Sequence, residues 1–197
     1  MLACLAGYRS SILREVAKFR KIKMQTASQW WESVKSDENK INDWLIKQYR
    51  GEVTAATRII QFGLQYAGTE KQVDILATVA KQETQHAEWI YELLEARNIK
   101  PVVEDAEKRY WAKTLLGIKD FETGAAVAAH AEGMRLARIR VIASDEFAPS
   151  DIREVFKKIL KDEVWHEKAF TQLSSPEALE ATKENHEAGV EALGLVL

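Results

Sequence analysis

The chain has 197 residues, 46% hydrophobic and 29% charged, enough for one globular domain with a sizeable core. A net charge of −2 and a pI near 6.1 give no basis for bulk nucleic-acid binding, although both are compatible with a local basic patch. The single cysteine, Cys4, excludes an internal disulfide and a rubredoxin-type or iron–sulfur centre built from this chain alone, and no apolar run approaches the length of a membrane span.

Only 9 Gly and 3 Pro interrupt long periodic stretches, which predicts an all-α fold. Residues 1–23 set Arg9, Arg14, Lys18, Arg20, Lys21 and Lys23 against Glu15 alone. This basic segment fits an extra packing helix, or an over-extended start ahead of Met24. An organelle transit segment or a membrane-surface helix is the alternative, so a cytoplasmic location is expected with those two as rivals. A first helix over much of 5–33 includes Trp30 and Trp31. Ser36-Asp37-Glu38-Asn39 then caps a long helix over 38–66. Gly68 ends it, and Thr69 with Gln72 forms a capping box for a helix over 70–97, stopped by Asn98 and Pro101. A long crossover follows, with a short helix in its Val103–Leu116 part that ends near Gly117. The next long helix covers 119–146. Pro149 breaks it, and Ser150 serves as N-cap of a helix over 150–173. Ser174-Ser175-Pro176-Glu177 caps a last helix running to about 193. The organisation expected is an N-terminal extension over 1–36, a bundle over 37–174 and a C-terminal helix over 175–197 packed on the bundle.

Two motifs carry the chemistry. Glu83-Thr84-Gln85-His86 and Glu163-Val164-Trp165-His166 are both Glu-x-x-His, and Glu52 and Glu132 precede them at identical spacing. In an antiparallel helix pair, residues equally far from the turn lie side by side. The midpoints fall at Ala67-Gly68 and Phe147-Ala148, where the sequence turns, so each lone Glu stands level with its motif. All six lie on apolar stripes. Val73, Leu76 and Val79 lead into Glu83 and His86 before Ile90 and Leu93, and Phe156 and Ile159 lead into Glu163 and His166 before Phe170. Burying four carboxylates is very unfavourable without compensation, and two divalent ions neutralise four ionised glutamates. Mixed carboxylate and imidazole ligation suits iron or manganese. The expected ligands, and catalytic residues, are therefore Glu52, Glu83, His86, Glu132, Glu163 and His166, holding two Fe ions with Mn/Fe as the alternative.

At these residues the chain resembles the ferritin-like diiron carboxylate superfamily, over about 38–173. The resemblance implies a ferritin-like four-helix bundle with a long crossover between its second and third helices and extra N- and C-terminal helices. It implies that Glu83 and Glu163 bridge the metals, with Glu52 and His86 completing one and Glu132 and His166 the other. It also places Asp162 against His86, with Gln82 as the pseudo-symmetric equivalent. The segment from Lys81 to Glu88, followed by Leu93 to Ile99, is similar to diiron tRNA hydroxylases, whereas Asp162-Glu163-x-x-His166 and Arg50-Gly51-Glu52-Val53 are similar to ubiquinone-pathway hydroxylases. The activity implied is that of an O₂-activating oxygenase with O₂ as co-substrate, an external reductase as electron donor and a small molecule or modified base as substrate. A ferroxidase or iron-storage protein and a rubrerythrin-like peroxide reductase are the alternatives. A homodimer is compatible with all of these.

Several neighbours carry weaker expectations. Tyr49 shares the face of Glu52 and could bond a ligand or relay an electron. Gly51 and Gly133 adjoin ligands, and close helix packing is their expected role, with space for substrate or O₂ as the rival. Trp89 and Trp165 adjoin the histidines and are expected in the core. His130 is expected to point away from the site, and His186 to lie on the surface.

Overall fold

A computed structural model describes residues 24–103 and 109–196. The described helices are α1 (Ala27–Lys35), α2 (Glu38–Tyr66), α3 (Glu70–Glu95), α4 (Trp111–Thr114), α5 (Phe121–Ser144), α6 (Ser150–Leu173) and α7 (Pro176–Leu193). Antiparallel α2–α3 and α5–α6 hairpins form the four-helix bundle, and α3 faces α6 across it. By contrast, α2 and α5 meet sparsely, so the bundle is least closed along that edge. Helix α7 lies on α5 and α4.

Local chemistry sets most boundaries. Asp37 caps α2 by accepting from the backbone N–H groups of Asn39 and Lys40, and Thr69 and Gln72 form the expected capping box of α3. Asn98 adopts φ 57°, which ends the turn after α3. Three boundaries differ from expectation. Thr26 is extended and forms a capping box with Gln29, so α1 begins at Ala27 and no helix runs unbroken through 5–33, most of which lies outside the described residues. Pro149, at φ −50° and ψ 128°, takes the flanking position of α6, so Ser150 is its first helical residue and not its cap. In the crossover, Pro101–Val103 is non-helical, and α4 is one turn followed by a 3₁₀ turn over Leu115–Gly117. Tertiary packing holds that turn. Tyr110 sits against α7 at Gly189, where a Cβ would lie 2.7 Å from its ring.

Two apolar clusters of the core flank the candidate site, and a third, of Tyr110, Ala131, Val190 and Leu195, lies under α7. Of the flanking pair, one gathers Trp31, Trp44, Leu45, Leu94, Ile142 and Phe156, and the other Ile59, Leu76, Val79, Ala129 and Phe170. Val73 is not part of either. It sits in the first turn of α3 ahead of Leu76 and is 50% exposed. The small residues at the start of α5 allow close approach, and Gly124 takes the ring of Phe62 from α2 directly against its backbone.

Asp145 ties α1 to the end of α5. It accepts hydrogen bonds from Trp31 Nε1 at 2.8 Å and Lys35 Nζ at 3.0 Å. Trp31 is almost fully buried, so Asp145→Ala strands its indole N–H. The expected cost is about 1–3 kcal/mol in urea unfolding, and an unchanged midpoint would show that the contact carries no stability. No described helix is long and apolar enough to cross a membrane.

Candidate metal centre

The four bundle helices bring all six expected residues together. Glu52 comes from α2, Glu83 and His86 from α3, Glu132 from α5, and Glu163 and His166 from α6. All six are buried. They form two overlapping groups, Glu52–Glu83–His86–Glu163 and Glu83–Glu132–Glu163–His166, and within each group one atom per residue lies within 4.8 Å of the others. Glu83 and Glu163 belong to both. That sharing follows from the three-residue step of Glu-x-x-His, which sets a carboxylate and an imidazole one above the other on one helix face.

The outer nitrogens of both histidines are held in place. His86 Nε2 donates to Asp162 Oδ2 at 3.2 Å, and His166 Nε2 donates to Gln82 Oε1 at 3.1 Å. Gln82 Nε2 in turn donates to Asp162 Oδ1 at 3.1 Å, closing a chain from one imidazole to the other. With Nε2–H committed outward, each Nδ1 turns toward the carboxylates. His86 Nδ1 lies 3.6 Å from Glu163 and His166 Nδ1 3.2 Å from Glu83.

The inward atoms test whether metal ions fit. Glu83 Oε2, Glu163 Oε2 and His86 Nδ1 are buried without a partner, while Glu163 Oε1 meets Arg135 at 2.9 Å and His166 Nδ1 meets Glu83 at 3.2 Å. An orphaned buried polar atom costs about 1–3 kcal/mol, so three in one space call for a cation. Carboxylate oxygens with neutral imidazole nitrogens are the donor set that iron and manganese take. The residues fit a pair of such ions.

Arg135, which sequence reasoning missed, also enters this space from α5, one turn beyond Glu132. Its Nη2 lies 2.5 Å from Glu52 and 2.9 Å from Glu163, and its Nη1 lies 3.4 Å from Glu132 and 3.5 Å from Glu83. The electrostatics reflect the crowding. Burial pushes Glu52 up to about 7 and Glu163 well above the usual carboxylate range, in both cases against the pull of Arg135. Burial also acts on Glu83, but Arg135 and bonds with Glu52 and His166 outweigh it and hold that carboxyl low. Burial lowers His86, whereas His166 is raised to about 10 because Glu163 and Glu83 overcome its burial.

The remaining residues fall elsewhere. Tyr49 packs against Tyr91 and makes no hydrogen bond to the six among the described residues. Neither Gly51 nor Gly133 is closely packed, since a Cβ on either would meet nothing within 4 Å. Trp165 is 39% exposed, because it lies one residue off the face of His166, while Trp89 is partly buried under Lys158. His130 points away from the six, as expected, and stacks on His186 at 4.7 Å. His186 is buried, contrary to expectation. It accepts from the Tyr110 hydroxyl at 2.8 Å, and burial with His130 nearby lowers it to about 4. A cleft of about 30 Å³ opens between α2 and α5, lined by Trp44, Gln48, Met134, Arg135, Arg138 and Phe156.

Asp162→Ala releases the outer nitrogen of His86 and one partner of Gln82. Metal affinity is expected to fall about 10–100-fold, read by titration of metal-stripped protein. An unchanged affinity would show that Asp162 does not orient the ring.

The chain is similar to known proteins in sequence and in fold. The family model described as tRNA-(MS[2]IO[6]A)-hydroxylase (MiaE) matches residues 11–192. Among solved structures, a Synechococcus protein with aldehyde deformylating oxygenase activity superposes with a TM-score of 0.69 at 22% identity, over 91% of this chain and 92% of that one. That likeness shows the fold. No curated protein matches the chain.

Proposed function

The chain belongs to the MiaE family of tRNA hydroxylases, and from that premise we propose that this diiron oxygenase hydroxylates a modified base of tRNA. The carrying observation is the pair of overlapping ligand groups that share Glu83 and Glu163. In this reading Glu52, Glu83, His86, Glu132, Glu163 and His166 would hold two iron ions, with Glu83 and Glu163 common to both ligand groups. The iron pair supplies the activation of O₂. One oxygen atom would enter a substrate C–H bond and the other would leave as water, with two electrons from a separate donor and two protons from solvent. Asp162 and Gln82 hold the imidazoles in the tautomer that turns Nδ1 inward. The two apolar clusters exclude water from both ends of the site. The net charge of −2 does not oppose a tRNA substrate, because recognition needs a local surface only.

The test incubates iron-loaded protein with a reductant, isotopically labelled O₂ and tRNA from cells lacking the hydroxylation, followed by nucleoside mass spectrometry. One labelled oxygen in a modified nucleoside is expected. Iron-loaded protein that consumes O₂ yet leaves every nucleoside unlabelled would refute the tRNA reading.

A further inference from the structure

We propose that Arg135 is a displaceable counter-ion of the metal centre, and that metal binding turns its guanidinium outward to receive a phosphate of the substrate. The proposal rests on the reading that the six residues hold two metal ions. It starts from a conflict of occupancy. Arg135 reaches all four carboxylates within 3.5 Å, including Glu83 and Glu163, the two residues common to both ligand groups. Two divalent ions on these carboxylates neutralise their charge, so a guanidinium in the same space loses its attraction and meets the repulsion of both metals. One must displace the other.

The way out is already present. The Arg135 side chain is 23% exposed and lines the cleft between α2 and α5, the least closed edge of the bundle. Trp44 lines the same cleft, and its indole N–H is buried without a partner. Arg138 lies one turn farther along α5, also on the cleft, with its guanidinium 4.7 Å from the ring of Trp30. Outward displacement therefore sets a second guanidinium beside Arg138 at the opening that leads to the ligands. Two planar forks side by side suit the non-bridging oxygens of a phosphate. Metal loading and recognition of a phosphate-bearing substrate thus share one residue. Without metal, the same residue holds the carboxylates together.

Arginine modification by phenylglyoxal, followed by peptide mass spectrometry, reads the displacement without any turnover. Loading the full chain with Mn²⁺ is expected to speed modification of Arg135 several-fold, and an unchanged or slower rate overturns the displacement. For R135L, metal affinity is expected to rise about tenfold as the competitor is removed, while binding of a short RNA hairpin to the Mn²⁺-loaded protein weakens about tenfold. R135K is expected to recover part of the RNA binding. Equal RNA binding by wild type and R135L overturns the phosphate contact. Wild-type protein that takes up no divalent metal removes the metal reading and this proposal together, whereas normal uptake with R135L identical to wild type overturns this proposal alone.

Discussion

Glu163→Ala is expected to abolish hydroxylation and to reduce bound iron from two ions per chain to one or none. Glu163, with Arg135 as the cation beside it, belongs to both ligand groups. Its removal takes a donor from each metal at once and leaves three donors in each group. Losing Glu52 or Glu132 removes a donor from one group only. Removing a residue that merely orients a ligand already costs about 10–100-fold in affinity, so losing a shared ligand costs more. Iron analysis after desalting, with circular dichroism to confirm the helical fold, measures the effect. Two irons retained with full activity would show that Glu163 is not a ligand. A non-metal bundle predicts a different outcome, in which removing the carboxyl changes no metal content.

Metal affinity is expected to rise steeply with pH. Glu52 is pushed up to about 7 by burial, and His166 to about 10 by Glu163 and Glu83 against its own burial. Both groups therefore hold protons at positions that a metal ion needs. Glu52 is largely protonated below about pH 7, and His166 carries its second proton throughout the neutral range. Binding must expel these protons, so a fall in pH opposes it and a rise in pH favours it. The apparent affinity gains about tenfold per pH unit for each proton displaced. Titrations with Mn²⁺ between about pH 6 and pH 8, with proton release followed in weak buffer, test this. A flat profile, or tighter binding in acid, would contradict the assignment of Glu52 and His166 as ligands.

The architecture was legible where periodicity and caps agree. Thr69 with Gln72 and Asp37 before Glu38 mark helix starts in sequence and structure alike. The clustering of the six residues was legible because matched spacing in two hairpins is hard to produce otherwise. The contact of Asp162 with His86 was legible through the resemblance, and Gln82 followed from the pseudo-repeat. Arg135 was not. An arginine three residues after a buried Glu looks like a solvated side chain, and its inward course depends on how four helices meet. His186 was hidden for a similar reason. Its partner Tyr110 comes from the crossover, whose path over α7 has no periodic signature. Val73 and Trp165 show the limit of stripe counting. The first precedes the core along α3, and the second lies next to a buried position without sharing its face.

The central claim is that six buried side chains hold two iron ions for oxidation chemistry. Anaerobic Fe²⁺ titration of metal-stripped protein, followed by exposure to O₂ and iron counting, tests it most directly. The expected result is saturation at two ions per chain, retained after oxidation. Continued uptake of many ions per chain would point to iron storage, and no uptake at all would contradict the assignment of the six residues as ligands.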